Sequence, residues 1–223
     1  PHPGAWKMSH SSVMPMTLLG HRVYVYCALG GLAVVAADGP ARGALLAKTS
    51  EWNPSICAPS PVPVGDDRIF VTAGYGNGSA MLQVERRGAG LAVRTLFLVK
   101  KDVFSCEQQT PIFQGGLLFS ILPPDAGGKR LEFAAMEPGG KLLWTSGRED
   151  RFGLGPFLYA DGKFLLLDDG GNLTLARADA SGYRRLARAK VLDPRDPWGP
   201  FALVDWRLLA RDLKQLVCLD LRP

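Results

Sequence analysis

Gly155-Pro156-Phe157-Leu158-Tyr159-Ala160-Asp161-Gly162-Lys163-Phe164-Leu165-Leu166-Leu167 is the stretch that decides the fold. Pro156 opens a short apolar strand, Asp161-Gly162 makes a turn, and about seven residues after the proline a second apolar strand begins. Turns rich in Gly and Asp suit hairpins, which require positive φ. The same order recurs in Met14-Pro15-Met16 before Arg22-Val23-Tyr24-Val25, and in Ser60-Pro61-Val62 before Arg68-Ile69-Phe70-Val71. It recurs again in Thr110-Pro111-Ile112 before Leu117-Leu118-Phe119, and in Gly199-Pro200-Phe201 before Arg207-Leu208-Leu209. The five prolines are 46, 50, 45 and 44 residues apart. Such a period is expected when each repeat is one four-stranded sheet of a β-propeller, so the sequence predicts an all-β fold of four-stranded antiparallel blades.

Working outward, the first unit reads as strands 15–19, 23–28, 32–37 and 44–48, and the second as 61–64, 69–73, 81–85 and 91–98. The third reads as 111–114, 117–122, 131–136 and 141–144, and the fourth as 156–160, 164–168, 173–178 and 183–191. Several runs are apolar on both faces, such as Val23-Tyr24-Val25-Tyr26, as suits sheets packed face to face. Trp144 is expected in such a seam. The fifth unit offers 200–204, 208–211 and 216–221, three strands before Pro223. Residues ahead of Met14 are weak material for a closing strand, since Pro1-His2-Pro3-Gly4 disfavours one and Ala5 to Met8 is short. The expectation is a single propeller domain over 1–223, with repeats starting near 15, 61, 111, 156 and 200, as the C-terminal part of a seven- or eight-bladed ring incomplete at its N-terminus.

Composition agrees with a folded chain: 47% apolar residues, 26 Gly and 17 Pro among 223. The net charge of +5 is spread along the sequence. Its densest stretch, Arg184-Arg185-Leu186-Ala187-Arg188-Ala189-Lys190, has acidic residues nearby and no aromatic platform beyond Tyr183, so it reads as a solvated outer strand and no nucleic-acid partner is expected. No run approaches the roughly 18 apolar residues of a spanning helix. Cys27, Cys57, Cys106 and Cys218 show no metal-ligand spacing. Cys27 and Cys218 lie in apolar strand runs and read as small core residues. Cys57 and Cys106 stand at nearly equivalent places in adjacent units, which raises a disulfide between them as a candidate.

Ala135-Met136-Glu137-Pro138-Gly139-Gly140-Lys141-Leu142-Leu143-Trp144 resembles the blade-closing motif of bacterial PQQ-binding-like β-propeller repeat proteins. The stretches 8–15, 73–79, 107–111 and 217–221 are similar to the same family, and the resemblance covers nearly the whole chain. It implies either a quinoprotein dehydrogenase or a non-catalytic propeller such as the scaffold lipoprotein of the outer-membrane barrel-assembly machinery. The family's alcohol dehydrogenases carry adjacent cysteines over the quinone and hold calcium with Glu, Asn and Asp. This chain has no Cys-Cys pair, and only Glu107 and Asn77 stand as counterparts for calcium. No cofactor is therefore expected; PQQ and calcium belong to the alternative reading.

Propeller ligands sit at the axial channel, where loops lead into the inner strands, so the residues before each proline are candidates. His10 and Glu107 supply a base and a carboxylate, Ser11, Gln108 and Gln109 polar donors and acceptors, and Trp198 a stacking surface. Each also has a structural role open to it, as a bridge between blades or a filler of the channel. Gly74-Tyr75-Gly76-Asn77-Gly78-Ser79 and Asp168-Asp169-Gly170-Gly171-Asn172 read as hairpin connections rather than phosphate or calcium loops. The function expected is a non-catalytic binding or scaffold module, monomeric and periplasmic or extracellular, for a protein, peptide or carbohydrate partner. The alternative is a fragment of a PQQ-dependent dehydrogenase acting on an alcohol or sugar.

Overall fold

A computed structural model describes residues 6–88 and 90–222. Blade 1 is built from β1 (Met14–Leu18), β2 (His21–Ala28), β3 (Gly31–Ala36) and β4 (Leu45–Thr49). Blade 2 is β5 (Val62–Val64), β6 (Arg68–Ala73), β7 (Gly78–Arg87) and β8 (Gly90–Val99), and blade 3 is β9 (Ile112–Gln114), β10 (Leu117–Ile121), β11 (Phe133–Met136) and β12 (Leu142–Thr145). Blade 4 is β13 (Phe157–Ala160), β14 (Lys163–Leu167), β15 (Asn172–Asp179) and β16 (Gly182–Lys190). Blade 5 has three strands, β17 (Ala202–Val204), β18 (Arg207–Arg211) and β19 (Leu216–Asp220). Each blade is an antiparallel meander whose strands neighbour one another in chain order. The β-propeller architecture and the positions of the repeats agree with the sequence reading.

One recurrent feature was not legible beforehand. In blades 1 to 4 the register between the third and fourth strands slips once, at Val34/Val35, Met81/Leu82, Ala135/Met136 and Leu175/Ala176. A bulge at that place adds twist and bends the outer strand of each blade.

Alternation along the strands sends one set of side chains into each of four seams. Val23, Val25, Leu32 and Val34 of blade 1 meet Ile69, Val71, Leu82 and Val84 of blade 2. Phe70 and Met81 then meet Leu118, Ala134 and Met136 of blade 3, and Leu165 and Leu167 of blade 4 meet Leu208 and Ala210 of blade 5. The third seam is aromatic. Phe133 is fully buried there, with ring centroids 5.0 Å from Phe164, 5.9 Å from Phe119, Trp144 and Phe157, 6.2 Å from Tyr183 and 6.4 Å from Phe152. Trp144 occupies this seam as expected and anchors itself through Nε1 to the Asp179 carbonyl at 2.7 Å. Burying each such ring contributes on the order of 1.5–3 kcal/mol.

Two cysteine assignments are corrected. Cys27 is buried, but Cys218 is exposed on β19, because its face of blade 5 has no neighbouring blade among the described residues. Cys57 and Cys106 are both free thiols: each touches Thr72, Cys57 through its sulfur and Cys106 through its N–H, and the Cys106 thiol is turned to Ser120. Ahead of β1, Lys7 bridges Leu29, so this segment crosses blade 1. Pro1 to Ala5, weighed above as closing-strand material, lie outside the described residues. Among the described residues no helix is long and apolar enough to cross a membrane.

Candidate functional site

The loops entering the inner strands share one rim with the turns between second and third strands. Three contacts establish this: Ser55 N donates to Asn77 Oδ1 at 3.1 Å, Leu154 N to Asp169 Oδ1 at 2.9 Å, and the Trp198 indole to the same oxygen at 3.0 Å. Gly153, at φ +83°, holds this junction open, since a Cβ there would collide with the Asp169 carboxylate. Along the rim the residues just before the prolines form a relay. Ser12 N donates to Ser60 Oγ at 3.1 Å, Ser60 N to Thr110 Oγ1 at 2.9 Å, and Gln109 Nε2 to the Leu154 carbonyl at 3.4 Å. Each contact joins one blade to the next.

The sequence candidates therefore fall into separate places along this rim. His10 is exposed, and its N–H donates to the Cys57 carbonyl at 2.9 Å. Ser11 is held by its neighbours Ser9 and Ser12. Glu107 packs on Gly74, where any Cβ would strike it, and bonds the Tyr75 hydroxyl. Burial pushes the Glu107 carboxyl above its ordinary value, the Tyr75 bond opposes this, and Asp125 adds to the rise. The same carboxylate raises Tyr75. Gln108 is half-buried beside it, while Gln109 and Trp198 belong to the blade 3 to blade 5 joints just described.

The calcium set implied by the resemblance does not fit these residues. Asn77 spends its amide on the Gly74 carbonyl at 2.7 Å and its oxygen on Ser55, while Glu107 faces Tyr75. Among the described residues no three His, Cys, Asp or Glu side chains are placed to hold a metal ion.

A second concave surface was not anticipated. Between blades 4 and 5 lies a cleft of about 780 Å³. Leu165, Leu173 and Leu175 form its floor, Ala187 and Ala189 one wall, and Leu203, Leu221 and the exposed Trp206 the other. Elsewhere fourth strands lean on each other, β8 on β4 and β16 on β12. On the side of β16 that faces blade 5 no fourth strand lies among the described residues, and the outer edge of β19 is unpaired there.

The basic stretch expected as a solvated outer strand is β16. Arg185 and Tyr183 fold back onto the buried Asp150, with Tyr183 Oη at 2.9 Å, and Arg188 reaches the buried Asp168. Burial, then the Asp150 bond, raises the Tyr183 phenol. Arg177 and Arg184 oppose each other in register, and neither has a carboxylate within ion-pair distance among the described residues.

No protein-family model and no curated protein matches this chain. Among solved structures, apo AztD from Citrobacter koseri superposes with a TM-score of 0.50 at 15% identity, over 93% of this chain and 56% of its own. BamB from Moraxella catarrhalis gives 0.43 at 12% identity, over 88% of this chain and 68% of its own. The AztD likeness is one of fold. This chain spans little more than half the length of that structure.

Proposed function

We propose that this propeller is a non-catalytic binding module that takes an extended protein segment in the cleft between blades 4 and 5, alongside β19. One observation carries the reading. Between blades 4 and 5 the described residues leave a cleft of about 780 Å³, largely apolar through Leu165, Leu173, Leu175, Leu203 and Leu221 and edged by Arg188 and Asp205. Strand addition draws affinity from the main-chain ladder and selectivity from alternate side chains in the groove. Val217, Leu219 and Leu221 point toward blade 4, so the added strand would turn every second, apolar side chain onto Leu175, Ala187 and Ala189. The like-charged pair Arg177 and Arg184 favours an acidic residue at one end, because opposed like charges destabilise a sheet. No cofactor enters this reading. Membership of the PQQ-like subgroup, export from the cell that makes it and a monomeric state belong to the same proposal, on the strength of the repeat resemblance.

The probe is a labelled eight-residue peptide alternating Val and Thr with a Glu at one end, titrated by fluorescence anisotropy. Controls carry the same residues at helical spacing or a central Pro. Saturable binding of the alternating peptide alone is expected, with about tenfold weaker binding to Ala187→Arg. Equal binding of the controls, indifference to Ala187→Arg, or binding only of oligosaccharides would overturn it.

A further inference from the structure

The rim closes over a second, smaller constellation that the binding reading does not use. Cys27, near the end of β2, and Cys57, in the loop leading to β5, are both about 1% exposed and belong to the same seam. Their backbones are tied to consecutive residues of one segment: Ser9 Oγ donates to the Cys27 carbonyl, and His10 N to the Cys57 carbonyl at 2.9 Å. The two thiols lie close enough in this seam for each to perturb the other's ionisation. Cys57 Sγ also lies 3.3 Å from the Pro59 carbonyl and 3.7 Å from that of Thr72. Beside them the buried Trp52 indole N–H has no nitrogen or oxygen acceptor among the described residues and is directed at Cys27.

We propose that Cys27 and Cys57 form a disulfide that fastens blade 1 to the entrance of blade 2. The oxidant is itself a disulfide, either oxidised glutathione or a protein dithiol oxidant. The Cys57 thiolate attacks one of its sulfurs and expels the first thiolate; the Cys27 sulfur, having lost its proton, attacks Cys57 in the mixed disulfide and expels the second. Two protons and two electrons leave the pair, and the oxidant ends as two thiols. The balance is the same whichever of the two sulfurs attacks first. Both sulfurs are buried, so oxidation takes place during folding or on local opening of the seam. The bond closes a loop of about 30 residues, a length at which cross-linking restricts the unfolded chain appreciably.

The full chain is equilibrated in glutathione buffers from reducing to oxidising, both natively and during refolding from urea. It is then denatured with N-ethylmaleimide, digested without reductant and weighed. Oxidising samples should show Cys27 and Cys57 in one linked peptide, with Cys106 and Cys218 alkylated. The thermal midpoint should rise by roughly 5–10 °C over the reduced protein, a rise absent from the Cys27→Ala/Cys57→Ala double variant. Alkylation of all four thiols in both arms, a link from Cys57 to Cys106, or an equal thermal shift in the double variant would overturn the proposal.

Discussion

Phe133→Ala tests whether the aromatic seam carries the joint between blades 3 and 4. The ring is fully buried and lies within 6.4 Å, centroid to centroid, of six other aromatic rings. Truncation removes the transfer energy of the ring and leaves a cavity, and the surrounding rings are too stiff to collapse into it. Phe to Ala changes in such sites cost about 3–5 kcal/mol. With a urea slope of about 3 kcal/mol/M, a loss of about 4 kcal/mol lowers the unfolding midpoint by roughly 1.3 M. The assay is equilibrium urea unfolding followed by circular dichroism and by Trp fluorescence, in which Trp144 reports the seam itself. Leu213→Ala, at an exposed side chain, is the comparator and should leave the midpoint nearly unchanged. A midpoint shift of Phe133→Ala below about 0.3 M, or one equal to that of Leu213→Ala, would refute the argument that this seam is close-packed and depends on that ring.

Four further outcomes are expected. Asp150→Ala strands Tyr183 and Arg185 beside an empty acceptor and should cost about 2–3 kcal/mol, whereas Arg94→Ala, which breaks an exposed pair with Glu85, should stay within about 0.5 kcal/mol; thermal unfolding separates the two. Asp212 accepts from the N–H of Lys214, which chiefly holds its carboxyl below the ordinary value, and from the N–H of Gln215. Its stabilisation is present above the unfolded value near pH 4 and is lost as pH falls through the depressed one, so Asp212→Asn should be the less stable protein at pH 6 and converge with the wild type at the acid end, as read from urea midpoints. Glu107 has the opposite sign: its raised carboxyl disfavours the folded state above the ordinary range, so Glu107→Gln should gain stability at neutral pH and show little difference below pH 4. In native protein at pH 8, N-ethylmaleimide should label Cys218 quickly and spare Cys106, whose thiol burial pushes up to about 11; timed mass spectrometry reads the order.

What the sequence disclosed and withheld follows from the range of each interaction. Pro156, Asp161-Gly162 and Phe164 sit within ten residues, so the hairpin they specify is written locally, and five copies of it define the blades. The bulge at Leu175/Ala176 has no local signature, because it answers the twist needed where β16 leans on β12. β16 is the solvated outer strand expected, but the pairing of Arg185 with Asp150 was not legible because the two lie 35 residues apart. Cys57 was weighed against Cys106 by repeat position, but position within a repeat sets the rim and not the distance across it; the neighbour that mattered, Cys27, comes from the inside of blade 1. Gln109 and Trp198, read as axial-channel candidates, have side chains that join neighbouring blades. The cleft was hidden because its lining comes from residues as far apart in the sequence as Leu165, Ala187 and Leu221.

The rim relay has one more consequence. Ser60 receives the Ser12 N–H on its hydroxyl and passes its own N–H to the Thr110 hydroxyl. At blade 2 the joint is therefore directional: Ser60 offers a hydroxyl on one side and an amide on the other, so the two sides of that blade are not equivalent. Joints of this kind are heterologous and can be continued by repetition, and whether the series closes depends on the rotation accumulated per step. In this chain the rule for adding a blade is local and carries no count; the size of the ring is a matter of angle, set by the bulged outer strands and the width of the seams.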